Sequence, residues 1–144
     1  MVDTFGFFNP IEVSLAGGSD NDIRHESRAH CIANRLQRAG ENQILFMPYN
    51  PKYHWVLAVI DLSLMTVYYL DPLGKDMVED LKKIIIIGFQ MFQAQAKTQP
   101  SRKNLKWSYV NAPIQPGNVE CGYYVMRYMK EIIENHDVLC ENVR

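Results

Sequence analysis

The sequence is poor in cysteine, close to neutral and without a long apolar run. Cys31, Cys121 and Cys140 are an odd count with no CxxC pair, which argues against a disulfide framework and for a reducing compartment. With the four histidines they show none of the paired-ligand spacing of a zinc site. Fifteen Lys plus Arg against sixteen Asp plus Glu leave a formal charge of −1. No global basic field is present to hold a phosphate backbone, and nucleic acid is not an expected partner. The apolar run from Ile84 to Phe89 is far short of the roughly 20 residues that span a bilayer. The opening "MVDTFGFFNP" lacks the basic and long apolar regions of a signal peptide. A soluble, unsecreted chain with no membrane partner is expected. There is no internal repeat or low-complexity tract, and 144 residues, 47% of them hydrophobic, suffice for a single domain over 1–144 with a real core.

To about residue 24 the chain carries "NP", "GG" and "SDND", turn signals that predict irregular structure with little regular pairing. From Ser27, the spacing of Ala29, Ile32, Ala33 and Leu36 predicts an amphipathic helix, with Gly40 placed to end it. Three apolar stretches follow, 43–50, 54–61 and 64–71, rich in β-branched and aromatic residues and read as three adjacent strands. Asp76 and Glu79 resemble a capping box, and Val78, Leu81, Ile85 and Phe89 hold helical spacing to about Lys97, with the isoleucines set against the sheet. A polar loop over 97–104, its basic stretch 101–106 read as solvated, leads to a strand at 105–111. A Pro- and Gly-punctuated turn then precedes a helix from Cys121 to about Asn135. This order predicts an α+β fold with one mostly antiparallel sheet packed by helices.

Cys121 stands where that turn becomes a helix. A thiol in the first turn of a helix feels the partial positive charge of unpaired N–H groups, which favours thiolate. Buried packing is the other reading, since cysteine is among the most buried residue types. Six residues earlier, Gln115 offers a side-chain amide on a rigid turn, and "PG" at 116–117 could bring that amide back over the sulfur as an oxyanion donor; the alternative is a surface turn glutamine. A cysteine nucleophile also needs a base and an orienter for it. His25 and His30 flank a polar helix start and His136 lies in "ENHD", so these are expected to be solvated. His54 opens a strand beside Trp55, and Asp71 ends the adjacent strand. If the two strands pair as a hairpin, His54 and Asp71 become neighbours. Asp71 can equally be a turn cap before Pro72 and Gly74, and Asp61, a competing acid, falls at the wrong end of the hairpin.

Taken in order, "HWVLAVID", "YYLDPLG" and "QPGNVECGYYVM" closely resemble the catalytic core of the cysteine proteases that process and deconjugate SUMO and related ubiquitin-like proteins. The resemblance implies a papain-like α+β core with the nucleophile at a helix N-terminus. It implies His54 as general base, Asp71 as its orienter, Cys121 as nucleophile and Gln115 as oxyanion donor. Trp55 matches the aromatic that lines the tunnel for the substrate's Gly-Gly tail, and Gly122 the small residue after the nucleophile. The implied partner is SUMO or another ubiquitin-like protein and its conjugates, the implied compartment nucleus or cytoplasm, and the chemistry requires no metal or organic cofactor. The resemblance is strongest over 44–135, while "FGFFNPIEV" with "SRAHCIANRL" looks more like plant versions, many of them transposon-associated. Family domains are typically longer ahead of the histidine, which only 53 residues precede here. An N-terminally shortened domain with weakened activity is therefore expected, with a non-catalytic binding module as the alternative.

Overall fold

The computed structural model describes residues 4–14, 21–52, 54–95, 104–117 and 120–144. Its elements are β1 (Phe5–Phe7), α1 (Pro10–Val13), α2 (Asn21–Gln37), β2 (Ile44–Tyr49), β3 (Val56–Asp61), β4 (Thr66–Leu70), α3 (Glu79–Gln95), β5 (Lys106–Tyr109), α4 (Cys121–Glu134) and α5 (Val138–Glu141). The five strands form one sheet in sequence order. β2, β3 and β4 form an antiparallel meander, whereas β1 joins β2 and β5 joins β4 in parallel. The α+β class stands, with a sheet that is antiparallel in its centre and parallel at both edges. The parallel edge at β5 follows from the crossover through α3, which returns the chain in its original direction.

Alternation along the central strands separates two cores. Leu45, Met47, Ala58, Ile60, Val67 and Tyr69 face one side, with Ile32 and Leu36 of α2 and Leu81, Ile84, Ile85 and Phe89 of α3. Phe46, Leu57, Val59, Tyr68 and Leu70 face the other, against Val125, Tyr128 and Ile132 of α4 and Leu139 of α5. The expected helical stripe of Ala29, Ile32, Ala33 and Leu36 is fully buried.

Four expectations are corrected. The opening segment is not wholly irregular: Phe5–Phe7 pairs with Ile44–Phe46, and α1 begins at Pro10 behind Asn9, whose side chain caps the Ile11 N–H at 3.0 Å. Helix α2 starts at Asn21, before Ser27, and stops short of Gly40. Helix α3 starts at Glu79, so Glu79 lies in its first turn, where a carboxylate complements the helix dipole, instead of reaching back to Asp76. His25 is not solvated. Its Nε2 lies 2.7 Å from Asp80 Oδ1, the carboxylate that Arg28 grips with two bonds of 2.7 Å and to which Tyr49 donates its hydroxyl. This cluster ties α2 and β2 to the start of α3 across 55 residues of sequence. The turn signals over 17–20 and the polar, basic loop up to residue 103 lie outside the described residues.

Candidate active site

The hairpin of β3 and β4 brings the first two candidates together. Leu57 pairs with Leu70 as the last matched residues of the ladder, so the chain just before β3 runs beside the chain just after β4. His54 Nε2 stands 3.6 Å from Asp71 Oδ2, with 18% of the histidine side chain and 1% of the aspartate side chain accessible. Asp71 is held rigidly. Its Oδ1 accepts the Leu73 N–H at 2.8 Å, its backbone carbonyl accepts the Gly74 N–H at 2.9 Å, and the Tyr69 hydroxyl lies 3.5 Å from Oδ2. The turn closes through Gly74 at φ +69°, a conformation that glycine adopts without strain. Asp71 is thus both a turn cap and the neighbour of His54. Asp61 lies at the far end of β3, where Oδ1 accepts from Ser63 and from the Leu64 N–H.

Cys121 is the first residue of α4 and is buried. It shares the buried face of that helix with Val125, Tyr128 and Ile132, at the i, i+4, i+7, i+11 spacing of a helix packed on a sheet. Gly122 lies against Trp55: a Cβ on Gly122 would sit 3.5 Å from Trp55 Cδ1. The residue after the candidate nucleophile therefore abuts the residue after the candidate base. Because Nε2 of His54 is turned to Asp71, Nδ1 is the ring nitrogen left for another partner.

Gln115 is buried and is anchored from both sides. Its backbone N–H donates to the Pro72 carbonyl at 2.8 Å, next to Asp71, and its side-chain Nε2 donates to the Gly117 carbonyl at 2.5 Å. Gln115 is thus no surface glutamine, but its amide is engaged in its own turn; residues 118 and 119, which link that turn to α4, lie outside the described residues. The other two thiols sit elsewhere, Cys31 part-exposed on α2 and Cys140 exposed on α5. Sequence reasoning missed Tyr128, whose hydroxyl donates to the Pro113 carbonyl. The available signal was its place seven residues after Cys121, on the same helix face.

Residues 20–142 match the Ulp1 protease family, C-terminal catalytic domain, and the chain belongs to that family. Sentrin-specific protease 2 of Homo sapiens and of Pongo abelii are each 30% identical to it over 95 residues, 61% of this chain and 15% of theirs. Among solved structures, a de-sumoylating protease superposes with a TM-score of 0.72 at 14% identity, covering 96% of this chain and 55% of that one. The C-terminal Ulp1 protease domain in complex with Smt3, the yeast ortholog of SUMO, superposes with a TM-score of 0.61 at 18% identity, covering 92% and 59%. SUMO protease Ulp1 with its catalytic cysteine oxidised to a sulfonic acid gives 0.63 at 18% identity, covering 96% and 65%. These likenesses show the fold. The chain spans 15% of the length of the curated relatives and between half and two thirds of these solved chains. Both sentrin-specific proteases are primate proteins, and the likeness to plant transposon-associated versions gains no support from them.

Proposed function

We propose that this chain is a single catalytic domain of a cysteine peptidase that cleaves after the C-terminal glycine of SUMO or a related ubiquitin-like protein. The observation that carries this reading is the meeting of the hairpin end, with His54 3.6 Å from Asp71, and the start of α4, where Gly122 abuts Trp55 beside Cys121. Family membership and the relatives' names supply the substrate class. A substrate of that class points to the nucleus or cytoplasm as the place of action.

Cys121 gives its proton to His54 Nδ1, while Asp71, 3.6 Å from Nε2 and without a hydrogen bond to it at rest, closes on that nitrogen to orient the ring and offset the imidazolium charge. The thiolate attacks the carbonyl carbon of the terminal glycine, and the oxyanion is met by the Cys121 N–H and by Gln115 once its amide leaves Gly117. His54 returns the proton to the leaving amine, a lysine side chain in a conjugate or a main-chain amine in a precursor, and the C–N bond breaks. Water, deprotonated by His54, then hydrolyses the thioester and restores the thiol. Trp55 and Gly122 form the narrow wall past which a Gly-Gly tail would run.

Covalent capture tests the reading. The protein is incubated with SUMO-family and ubiquitin probes carrying a C-terminal electrophile, beside Cys121→Ser and His54→Ala variants. An adduct with one probe, lost in Cys121→Ser, is the expected result and identifies the substrate class. No adduct together with rapid, His54-dependent alkylation of Cys121 by a small reagent would leave a live triad with no such substrate. A Cys121 inert to both would overturn the peptidase in favour of a binding module.

A further inference from the structure

Gln115 sits in a stretch, 111–115, that is neither helix nor strand. Such a stretch has no ladder or helix of its own and depends on specific ties as well as packing to hold its place. At its start the Asn111 N–H donates to the Asn142 carbonyl at 2.7 Å, and at its end the Gln115 N–H donates to the Pro72 carbonyl. Between them the Tyr128 hydroxyl donates to the Pro113 carbonyl. Of these three ties, this one comes from the helix that carries Cys121. Packing holds the stretch only in part: Ala112 rests on the core, but a half-open cleft of about 190 Å³ runs alongside, lined by Leu70, Val110, Pro113, Tyr128, Ile132 and Leu139 among others.

We propose that Tyr128 is a positioning residue for the reaction, fixing the Gln115-bearing stretch to the helix of the nucleophile through its bond to Pro113. The inference rests on the peptidase reading above. Cys121 and Tyr128 are two helical turns apart on one face, about 10 Å along the axis. Tyr128 is buried at its ring, so the phenol reaches the stretch from a fixed base. Burial, and after it the negative charge of Asp71, pushes the Tyr128 hydroxyl well above the ordinary phenol value, which keeps it a proton-bearing donor at any working pH. The tie thus links two parts that must meet within a fraction of an ångström: the sulfur at the head of α4, and the amide that would receive the oxyanion. Through Pro72 the same stretch is joined to the turn that holds Asp71.

The test is a double-mutant cycle on the full chain, with SUMO bearing a C-terminal aminocoumarin amide as substrate. Tyr128→Phe should lower kcat roughly 5- to 20-fold with KM changed less than about twofold, and should leave the rate of Cys121 alkylation by a small reagent unchanged. In a Gln115→Ala background it should cost nothing further, because the amide it positions is gone. Replacing Tyr128 by 4-aminophenylalanine, which keeps a donor at the ring's far end, should restore kcat. A folded Tyr128→Phe chain with full kcat would overturn the inference, as would an equal loss in the Gln115→Ala background. A Tyr128→Phe chain that does not fold, with 4-aminophenylalanine no better than phenylalanine, would make the residue purely structural. A wild type that releases no aminocoumarin would overturn the peptidase reading, and this inference with it.

Discussion

His54 and Asp71 lie 3.6 Å apart at one end of a hairpin whose other end is closed by Asp61. The pairing of Leu57 with Leu70 puts them there, so their meeting is a property of strand register. A one-residue slip would send every side chain of β4 to the opposite face.

Asp71→Asn should lower kcat by about 10²- to 10⁴-fold, the range expected when a base loses the group that orients and charge-balances it. The fold should survive, since an amide oxygen can still accept the Leu73 N–H that Oδ1 accepts now. Steady-state cleavage of the aminocoumarin substrate, with circular dichroism as the folding control, gives the answer. Unchanged kcat would remove Asp71 from the reaction.

Gln115→Ala should reduce kcat by about 10²- to 10³-fold, the usual cost of one oxyanion donor. Alkylation of Cys121 by a small reagent, which forms no oxyanion, should keep its wild-type rate. If alkylation slowed as much as cleavage did, the glutamine would be acting on the thiol's surroundings instead.

Two helix glycines should respond oppositely to alanine. A Cβ at Gly88 would meet Ile32 Cγ2 at 2.7 Å, Ile32 Cβ at 2.8 Å and the Ala29 carbonyl at 3.1 Å, at the crossing of α2 and α3. Gly88→Ala should therefore cost about 1–3 kcal/mol through overpacking. At Gly122 the nearest atom would be Trp55 Cδ1 at 3.5 Å, an ordinary contact, so Gly122→Ala should leave stability unchanged or raise it by up to about 1 kcal/mol. Urea midpoints of the two variants decide the matter, and the reverse order would contradict the helix crossing described.

The carboxylate of Asp80 should give the chain an acid-sensitive component of stability. Burial by itself would raise its pKa, but hydrogen bonds from Arg28 and Tyr49, the Arg28 charge and His25 outweigh burial and hold it at about 2. An exposed aspartate titrates near 3.9, so the unfolded chain takes up this proton first. The contribution is complete above about pH 5 and is lost as pH falls through about 2, amounting to roughly 2.5 kcal/mol. Urea unfolding between pH 2 and 6 should show that slope in the wild type and a shallower one in Asp80→Asn. That variant should also be less stable at neutral pH, by about 1–3 kcal/mol, because the buried Arg28 guanidinium loses the Asp80 carboxylate while keeping its bond to the Val13 carbonyl. Equal slopes in both proteins would rule out Asp80 as the source.

What the sequence disclosed was what is local. The strands at 44–49, 56–61 and 66–70 and the helix at 121–134 follow from apolar spacing and turn residues within a few positions. The nearness of His54 and Asp71 followed from one hairpin. What stayed hidden depends on distant partners. Phe5–Phe7 is three residues with a glycine at its centre, and only its pairing with Ile44–Phe46 makes it a strand. The parallel direction of β5 is decided by the crossover and leaves no mark in Lys106–Tyr109. His25 looked like a surface residue because Asp80, its partner, is 55 positions away. Gln115 was legible as a residue but not in its pose, since the bond from its amide to Gly117 belongs to the turn's own conformation.

Along β3, Leu57 and Val59 look toward the helix of the nucleophile, and Ala58 and Ile60 toward α2 and α3. Adjacent codons in one short strand therefore answer to different selective demands. The Ala58 and Ile60 side answers to the fit of two helices against the sheet, while the Leu57 and Val59 side answers also to where the helix of the cysteine must rest. Divergence along β3 is therefore expected to be striped, with Leu57 and Val59 more conservative than Ala58 and Ile60.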